Sequence, residues 1–305
     1  MKKKTPLFLI CIGFIPFSLS FLGHYNWILD GFSHFRIYFG IYFLVVGVLL
    51  LFFKKRKEAF ISLFLSLAIG LTLIKFYLPV QHSFKNASTK IISINLLSSN
   101  NDFEEVLKFI ESENPEIVVL QEVNQKWYNQ LKVLETEFLY QLKNIREDNF
   151  GLIVLSKVPF IESEEILLSK SGVPSYVFKI LSGEKKVDII ATHPLPPVGA
   201  AYFDSRNEQF ENINKYVRSV DGNVVIVGDL NVTSFSSNFS RITEGTKLRD
   251  SRLGFGLQPT WSAQIPFISV AIDHVLVSEE ISVVDRRVGI DIGSDHFPII
   301  IEIAN

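Results

Sequence analysis

Residues 224–231 read Val224-Val225-Ile226-Val227-Gly228-Asp229-Leu230-Asn231. Four β-branched residues in a row, bounded by turn formers, mark a strand covered on both faces. The run stops at a glycine, an aspartate and an asparagine. In α/β proteins the carboxyl edge of a sheet is where sites gather. Asp229 and Asn231 are two apart, so on an extended chain they share a face. A carboxylate beside an amide oxygen suits a hard divalent cation. An ordinary Asp/Asn turn after a strand gives the same letters, so the rest of the chain has to decide.

The chain of 305 residues suggests two domains, or one large domain with an appendage. Its net charge of −2 hides an asymmetry. Of 30 basic and 32 acidic residues, ten basic but only two acidic ones, Asp30 and Glu58, lie at or before Lys85. Residues 86–305 therefore hold 20 basic and 30 acidic residues, a net of −10. A basic, apolar N-terminal part precedes an acidic globular one. Cys11 is the single cysteine, so neither a disulfide framework nor a cysteine metal cluster can form within the chain.

Leu7 to Leu22, Ile37 to Phe53 and Ala59 to Ile74 are free of charged residues. With its flanks, each approaches the ~20 residues that cross a bilayer. The first run also has the look of a signal peptide, but it lacks a clear small-x-small cleavage site and two more runs follow. The expectation is three transmembrane helices in residues 1–80, a linker at 81–89 and a globular domain over 90–305. Lys2-Lys3-Lys4 and Lys54-Lys55-Arg56-Lys57 both favour the cytoplasmic side. The loop His24 to Arg36, with Tyr25 and Trp27, then lies outside. So does everything after about residue 79, giving a multi-pass plasma (inner) membrane protein with an extracytoplasmic globular domain.

Within that domain, Lys90–Leu96, Ile117–Leu120, Gly151–Leu155, Val177–Leu181, Val187–Thr192, Ala271–Val277 and Ile299–Ile303 read as strands. Asp102–Glu113, Trp127–Leu134 and Asp204–Val220 read as helices. Strands interleaved with helices, with several strand-to-strand connections in the second half, imply an α/β sandwich on a mixed sheet. Polar residues recur where the apolar strands stop: Asn95, Glu122, His193, Asp229 with Asn231, and Asp295 with His296. Each alone has a bland explanation. Five such ends are better explained by one shared site.

The segments Ile94-Asn95, Leu120-Gln121-Glu122-Val123, Thr192-His193-Pro194, Gly228-Asp229-Leu230-Asn231, Ile272-Asp273-His274-Val275 and Gly293-Ser294-Asp295-His296-Phe297-Pro298 resemble those of the endonuclease/exonuclease/phosphatase superfamily, in its order. The resemblance covers residues 90–305. It implies the DNase I-like four-layer α/β sandwich and metal-dependent phosphoester hydrolysis. By that resemblance Glu122 is the principal Mg²⁺ (or Mn²⁺) ligand, with Asn95 beside it and Asp295 as a further metal carboxylate. Asp229 orients or activates the attacking water. Asn231 helps hold phosphate or metal, and His193 donates to a phosphate oxygen. His296 is the second histidine, oriented by Asp273. The tyrosine found in apurinic-site nucleases of this superfamily has no clear counterpart; Tyr176 and Tyr202 are the nearest.

Thr192-His193-Pro194-Leu195-Pro196-Pro197, Arg206 and Gln209, and Pro259-Thr260-Trp261 resemble the membrane-anchored branch that includes teicoplanin-resistance type proteins. That narrower resemblance implies hydrolysis of a lipid-linked phosphate or pyrophosphate, such as undecaprenyl pyrophosphate, at the membrane surface, with Arg206 as a phosphate clamp. The alternative is a phosphodiesterase of the same fold, either a nuclease or a sphingomyelinase/phospholipase C-like enzyme. A net charge of −10 on the domain is poorly suited to nucleic acid, whose binding draws on basic side chains. A non-catalytic membrane sensor would have no need to keep the whole polar constellation. The sequence does not reveal oligomeric state.

Overall fold

The computed structural model describes residues 5–80 and 88–304. Most of the expected linker, 81–87, lies outside them. The globular part begins with β1 (Ser88–Asn95), α5 (Phe103–Glu113), β2 (Ile117–Gln121), α6 (Gln125–Leu131), β3 (Tyr140–Asn144) and β4 (Leu152–Ser156). It continues with β5 (Glu162–Leu167), β6 (Pro174–Ser182), β7 (Lys185–Thr192), α7 (Ala200–Ser219) and β8 (Asn223–Asp229). The short α8 (Ser240–Thr243), β9 (Leu248–Asp250), β10 (Asp273–Ser278), β11 (Ser282–Val288) and β12 (Ile299–Ala304) complete it. The strands form two mixed six-stranded sheets, ordered β11-β12-β1-β2-β4-β3 and β5-β6-β7-β8-β10-β9.

Alternation along the strands sorts the side chains into layers. Val225 and Val227 of β8 face inward, with Ile91, Val119, Ile189 and Val275, into the core between the sheets. Val224 and Ile226 point the other way, onto Phe210 and Ile213 of α7. On the far sheet Ile92, Val118 and Leu120 pack against Phe109 of α5 and Trp127 of α6. The result is the helix–sheet–sheet–helix sandwich expected from residues 90–305. β8 is buried on both faces, as its uninterrupted apolar run requires.

The N-terminal part departs from expectation. It holds α1 (Thr5–Leu19), α2 (Trp27–Ser33), α3 (Arg36–Phe52) and α4 (Arg56–Leu73). Among the described residues only Arg56–Phe76 is by itself long and apolar enough to cross a membrane. A second qualifies if Pro6–Leu22 and Trp27–Ser33, bent by 117°, are taken as one broken span. Arg36–Phe52 is apolar but has 17 residues, about 26 Å of helix against a hydrocarbon core of ~30 Å. The stretch His24 to Arg36, expected as a plain loop, contains α2, whose Asn26 side chain accepts from the backbone N–H of Ile28. α3 and α4 run antiparallel, with Ser62 Oγ donating to the carbonyl of Phe43 and Ser66 Oγ to that of Gly40. Their outer faces leave Leu44, Leu49, Phe60, Phe64, Leu67 and Leu71 exposed, a grouping of the kind that marks an interaction or membrane-facing surface.

Candidate active site

Strand register gathers the polar strand ends at one edge of the sandwich. β1 and β2 pair in parallel with Asn95 opposite Gln121, so Glu122 emerges beside Asn95. β7 and β8 are parallel with Ala191 opposite Val227, which carries His193 to the level of Asp229. β10 meets β8 antiparallel with Asp273 directly opposite Asp229. The segment before β12 brings in Asp295 and His296.

Backbone conformation aims these groups. Glu122 and Asn231 both have positive φ, 60° and 51°, a region that costs a non-glycine residue about 1–3 kcal/mol and tends to mark functional turns. Gly228 has φ +145°, and a Cβ there would lie 2.0 Å from the Thr192 carbonyl oxygen. Only glycine lets β7 and β8 close up just before Asp229. Gly228→Ala is expected to destabilise the fold by on the order of 2–3 kcal/mol, read as a lower Tm. An unchanged Tm would show that the strand ends part without cost.

Asn95 Nδ2 donates to Glu122 Oε1 at 3.1 Å and to Asp229 Oδ2 at 3.2 Å. Its Oδ1 accepts from the backbone N–H of Leu97. In this arrangement Asn95 braces the Glu122 and Asp229 carboxylates, and its Oδ1, engaged once by Leu97, keeps a second lone pair. Glu122 Oε2 accepts from the N–H of Ser98 at 3.1 Å. Asp229 Oδ1 accepts from the N–H of Asn231, whose side chain donates to the Pro194 carbonyl at 3.0 Å.

The two histidines converge on Asp229: His193 Nε2 lies 3.5 Å and His296 Nε2 3.8 Å from its Oδ2. His296 Nδ1 is 2.9 Å from Asp273 Oδ2. Burial alone would push the His296 pKa down, but the Asp273 and Asp229 carboxylates, with Asp295 4.0 Å away, hold it up at about 10. Burial alone would likewise raise Asp229, yet His296 and His193 keep it below the usual carboxylate range. The arrangement thus favours the charged form of His296 and the ionised form of Asp229.

The donor set fits a hard divalent cation. Asp229, Asp273 and His296 offer ligand atoms within 4.8 Å of one another, and Glu122 joins them through Asn95. Asp273 is already spent on His296, and Mg²⁺ and Mn²⁺ favour oxygen donors. Glu122 and Asp295, which line the same cavity as Asp229, add further carboxylate oxygens at this edge. Asp295 Oδ1 is buried and has no hydrogen-bond partner among the described residues, its nearest cation being the His296 ring at 4.0 Å. Its other oxygen accepts from Trp261 Nε1 at 3.0 Å.

Arg206 is elsewhere. Fully buried under the site, it donates to Asp30 Oδ2 of α2 at 2.7 Å and to the Asn231 carbonyl at 3.0 Å. It does not line the cavity over the carboxylates, so the expected phosphate clamp is a brace between α2 and the Asn231 turn. Tyr176 is buried against Glu165 at 3.1 Å, and neither it nor Tyr202 lines the cavity.

That cavity, of about 450 Å³, is lined by Glu122, His193, Asp229, Asn231, Asp295 and His296. Phe150, which packs on His193, also lines it, with Pro196, Pro197, Val198, Val270 and Ile272, and Gly31, His34 and Phe35 reach it from the N-terminal part. The sequence reading missed this last contribution. One signal was available: Asp30 is the only acidic residue before Glu58, an odd presence in a basic, apolar segment.

The sequence matches the Endonuclease/Exonuclease/phosphatase family over residues 92–296. The chain belongs to that family. Members of the endonuclease/exonuclease/phosphatase superfamily are phosphoester hydrolases, and the polar cluster sits inside the matched region. Solved structures of similar fold include D. rerio TDP2 complexed with a single-strand DNA product, at 17% identity and TM-score 0.62, covering 72% of this chain and 100% of that one. An endonuclease/exonuclease/phosphatase from Bacteroides vulgatus is 18% identical with TM-score 0.59, over 72% of this chain and 99% of that one. A functionally unknown conserved protein from Enterococcus faecalis V583 is 20% identical with TM-score 0.59, over 71% and 100%. At such identities the likeness speaks for the fold. No curated protein matches the chain.

Proposed function

We propose that this family member is a membrane-attached, divalent-metal-dependent hydrolase of a lipid-linked phosphate or pyrophosphate, undecaprenyl pyrophosphate-like, working at the extracytoplasmic surface. The observation that carries this is the cavity's mixed lining. Carboxylates and histidines share it with Phe150, Pro196, Pro197, Val198, Val270 and Ile272, and the N-terminal part, with its exposed apolar helices, contributes Gly31, His34 and Phe35. A phosphate joined to a hydrocarbon chain is a substrate that such a lining accommodates. No lysine or arginine is among the described residues lining the cavity, which fits poorly with a nucleic-acid backbone.

A divalent cation held by Glu122, with Asp229 and Asp295 at hand, would supply Lewis acidity at the phosphoryl oxygens. The chain's own groups do the rest. Asp229, kept ionised by its histidines, accepts a hydrogen bond from the attacking water and aligns it. The His296 imidazolium gives its Nδ1 proton to Asp273 in a hydrogen bond, leaving Nε2–H to donate to phosphate. His193, whose Nε2 faces Asp229 at 3.5 Å, is the second donor. Both act where negative charge builds up. Asp273→Asn, which removes the charge that orients and protonates His296, is expected to lower kcat by about 10- to 100-fold with KM little changed. A loss below twofold would remove Asp273 from this part.

The direct test is phosphate release by the purified full chain in detergent, offered undecaprenyl pyrophosphate, a phosphodiester lipid or DNA, each with Mg²⁺, Mn²⁺ or EDTA. Metal-dependent inorganic phosphate from the polyprenyl substrate alone is expected. Cleavage of the diester lipid or of DNA instead would move the enzyme to the phosphodiesterases. A reporter fused after residue 305 is expected to read as extracytoplasmic, and a cytoplasmic signal would overturn the orientation.

A further inference from the structure

The face of the sandwich that meets the N-terminal helices carries an apolar loop. Residues 253–272 contain no charged side chain, in a domain where charges are otherwise frequent. At the tip of this stretch a single 3-10 turn, Pro266–Ile268, leaves Ile265, Phe267 and Ile268 exposed by 41%, 78% and 47%. Large aromatic and aliphatic groups grouped this way on a surface mark a binding face.

Two contacts fix where the loop points, and a third ties the neighbouring Phe235 to α3. Tyr38 Oη, near the start of α3, donates to the Ser269 carbonyl at 2.6 Å. Arg36 Nη2 donates to the Phe235 carbonyl at 3.2 Å. At the far end of α4, the N–H of Gly256 donates to the Phe76 carbonyl at 2.8 Å. Because α3 and α4 are antiparallel, the start of one and the end of the other lie on the same side of the helical part. The loop is therefore pinned where α3 begins. There Phe267 lines a groove of about 220 Å³ together with Ile37, Tyr38 and Ile41 of α3, and with Phe235 and Leu257. Ile41, at 51% exposed, continues the apolar surface along α3.

We propose that Ile265–Ile268 inserts into the bilayer beside α3 and seats the catalytic cavity at the level of the lipid headgroups. This rests on the membrane reading of the proposed function and adds to it a second, non-helical attachment within the family domain itself. A lipid surface is the partner because the loop continues the surface of an apolar helix, lacks charge, and is flanked by Tyr38 and Trp261. Such amphipathic aromatics prefer the membrane interface. The loop also reaches the chemistry: Trp261 and Val270 line the cavity, and Trp261 holds Asp295. Its depth would thus set how far a headgroup must rise to meet the carboxylates.

The test uses the full chain with Cys11→Ser, so that one introduced cysteine carries a nitroxide. Phe267→Cys and, separately, Ile268→Cys are reconstituted in phosphatidylglycerol/phosphatidylethanolamine vesicles. Their accessibility to oxygen and to a water-soluble nickel chelate is compared with that of Leu181→Cys. Leu181 pairs with Lys186 at the end of its sheet opposite His193. An oxygen-to-nickel accessibility ratio at least about threefold higher at 267 and 268 than at 181 is expected for groups below the headgroups. Aqueous readings at both positions, with the protein still in the vesicles after an alkaline wash, would overturn the insertion alone. Exclusion of both reagents would mean that protein, either a partner or a second copy, covers the loop, and would overturn it too. Loss of the protein from the vesicles in the wash would remove the membrane reading itself.

Discussion

Glu122→Gln is expected to lower metal-dependent turnover by at least about 10³-fold, some 4 kcal/mol of transition-state stabilisation, while leaving the fold intact. The substitution keeps the shape of the side chain and an acceptor for one of its two donors, Asn95 Nδ2 or the Ser98 N–H, each 3.1 Å away. It removes one of four carboxylates gathered at this edge, the others being Asp229, Asp273 and Asp295. Without the cation those charges repel, so Tm is expected to hold or rise slightly even as activity falls. Opposite movements of stability and rate separate a functional carboxylate from a structural one. Kinetics with Mg²⁺ and Mn²⁺ alongside thermal unfolding would show both. Turnover within tenfold of the parent would take Glu122 out of the site.

Asp30→Ala should be nearly as damaging, although Asp30 lies some 60 residues before the matched family region. Asp30 and Arg206 are both fully buried and 2.7 Å apart. Removing one partner of a buried pair leaves an uncompensated charge and typically costs about 3–5 kcal/mol. Asp30 also accepts from the hydroxyl of Ser236, and Arg206 holds the carbonyl of Asn231 at 3.0 Å. Asn231 keeps its positive φ because three partners tie it down: Arg206 on its carbonyl, Asp229 on its N–H and Pro194 on its side chain. A double variant, Asp30→Ala with Arg206→Met, separates packing from positioning. With the charge gone from both sides, Tm should recover most of the loss. If the pair positions Asn231, kcat should stay low; a full return of kcat with Tm would leave the pair a purely structural role.

How far the sequence spoke depended on burial. The strands read from apolar runs, β1, β2, β4, β6, β7, β8, β10 and β12, are the inner strands of the two sheets. The four that escaped notice, β3, β5, β9 and β11, are the outer ones. An edge strand is covered on fewer sides and often carries charge to discourage further pairing. β5 reads Glu162-Ser163-Glu164-Glu165-Ile166-Leu167 and is exposed along nearly its whole length, which gives a pattern search nothing to hold. The polar strand ends were legible for the complementary reason: Asn95, Glu122, His193 and Asp229 stand out where long apolar runs stop. Arg206 was misread because its surroundings come from α2, more than 170 residues away in the chain. No local pattern distinguishes an arginine aimed at a ligand from one aimed at a buried carboxylate.

The ion pair beneath the Asn231 turn also bears on how this enzyme could be cut. Length and composition place a natural boundary between residues 81 and 89, and a fragment beginning there would hold every strand of the sandwich. It would also hold Arg206 with no counter-charge, a cavity without Gly31, His34 and Phe35 along its rim, and a bare apolar surface where α2 and the helix ends had rested. The N-terminal helices and the family domain thus share a buried ion pair and a cavity rim. A soluble version would have to be designed by rewriting that buried interface, since trimming the chain would only expose it.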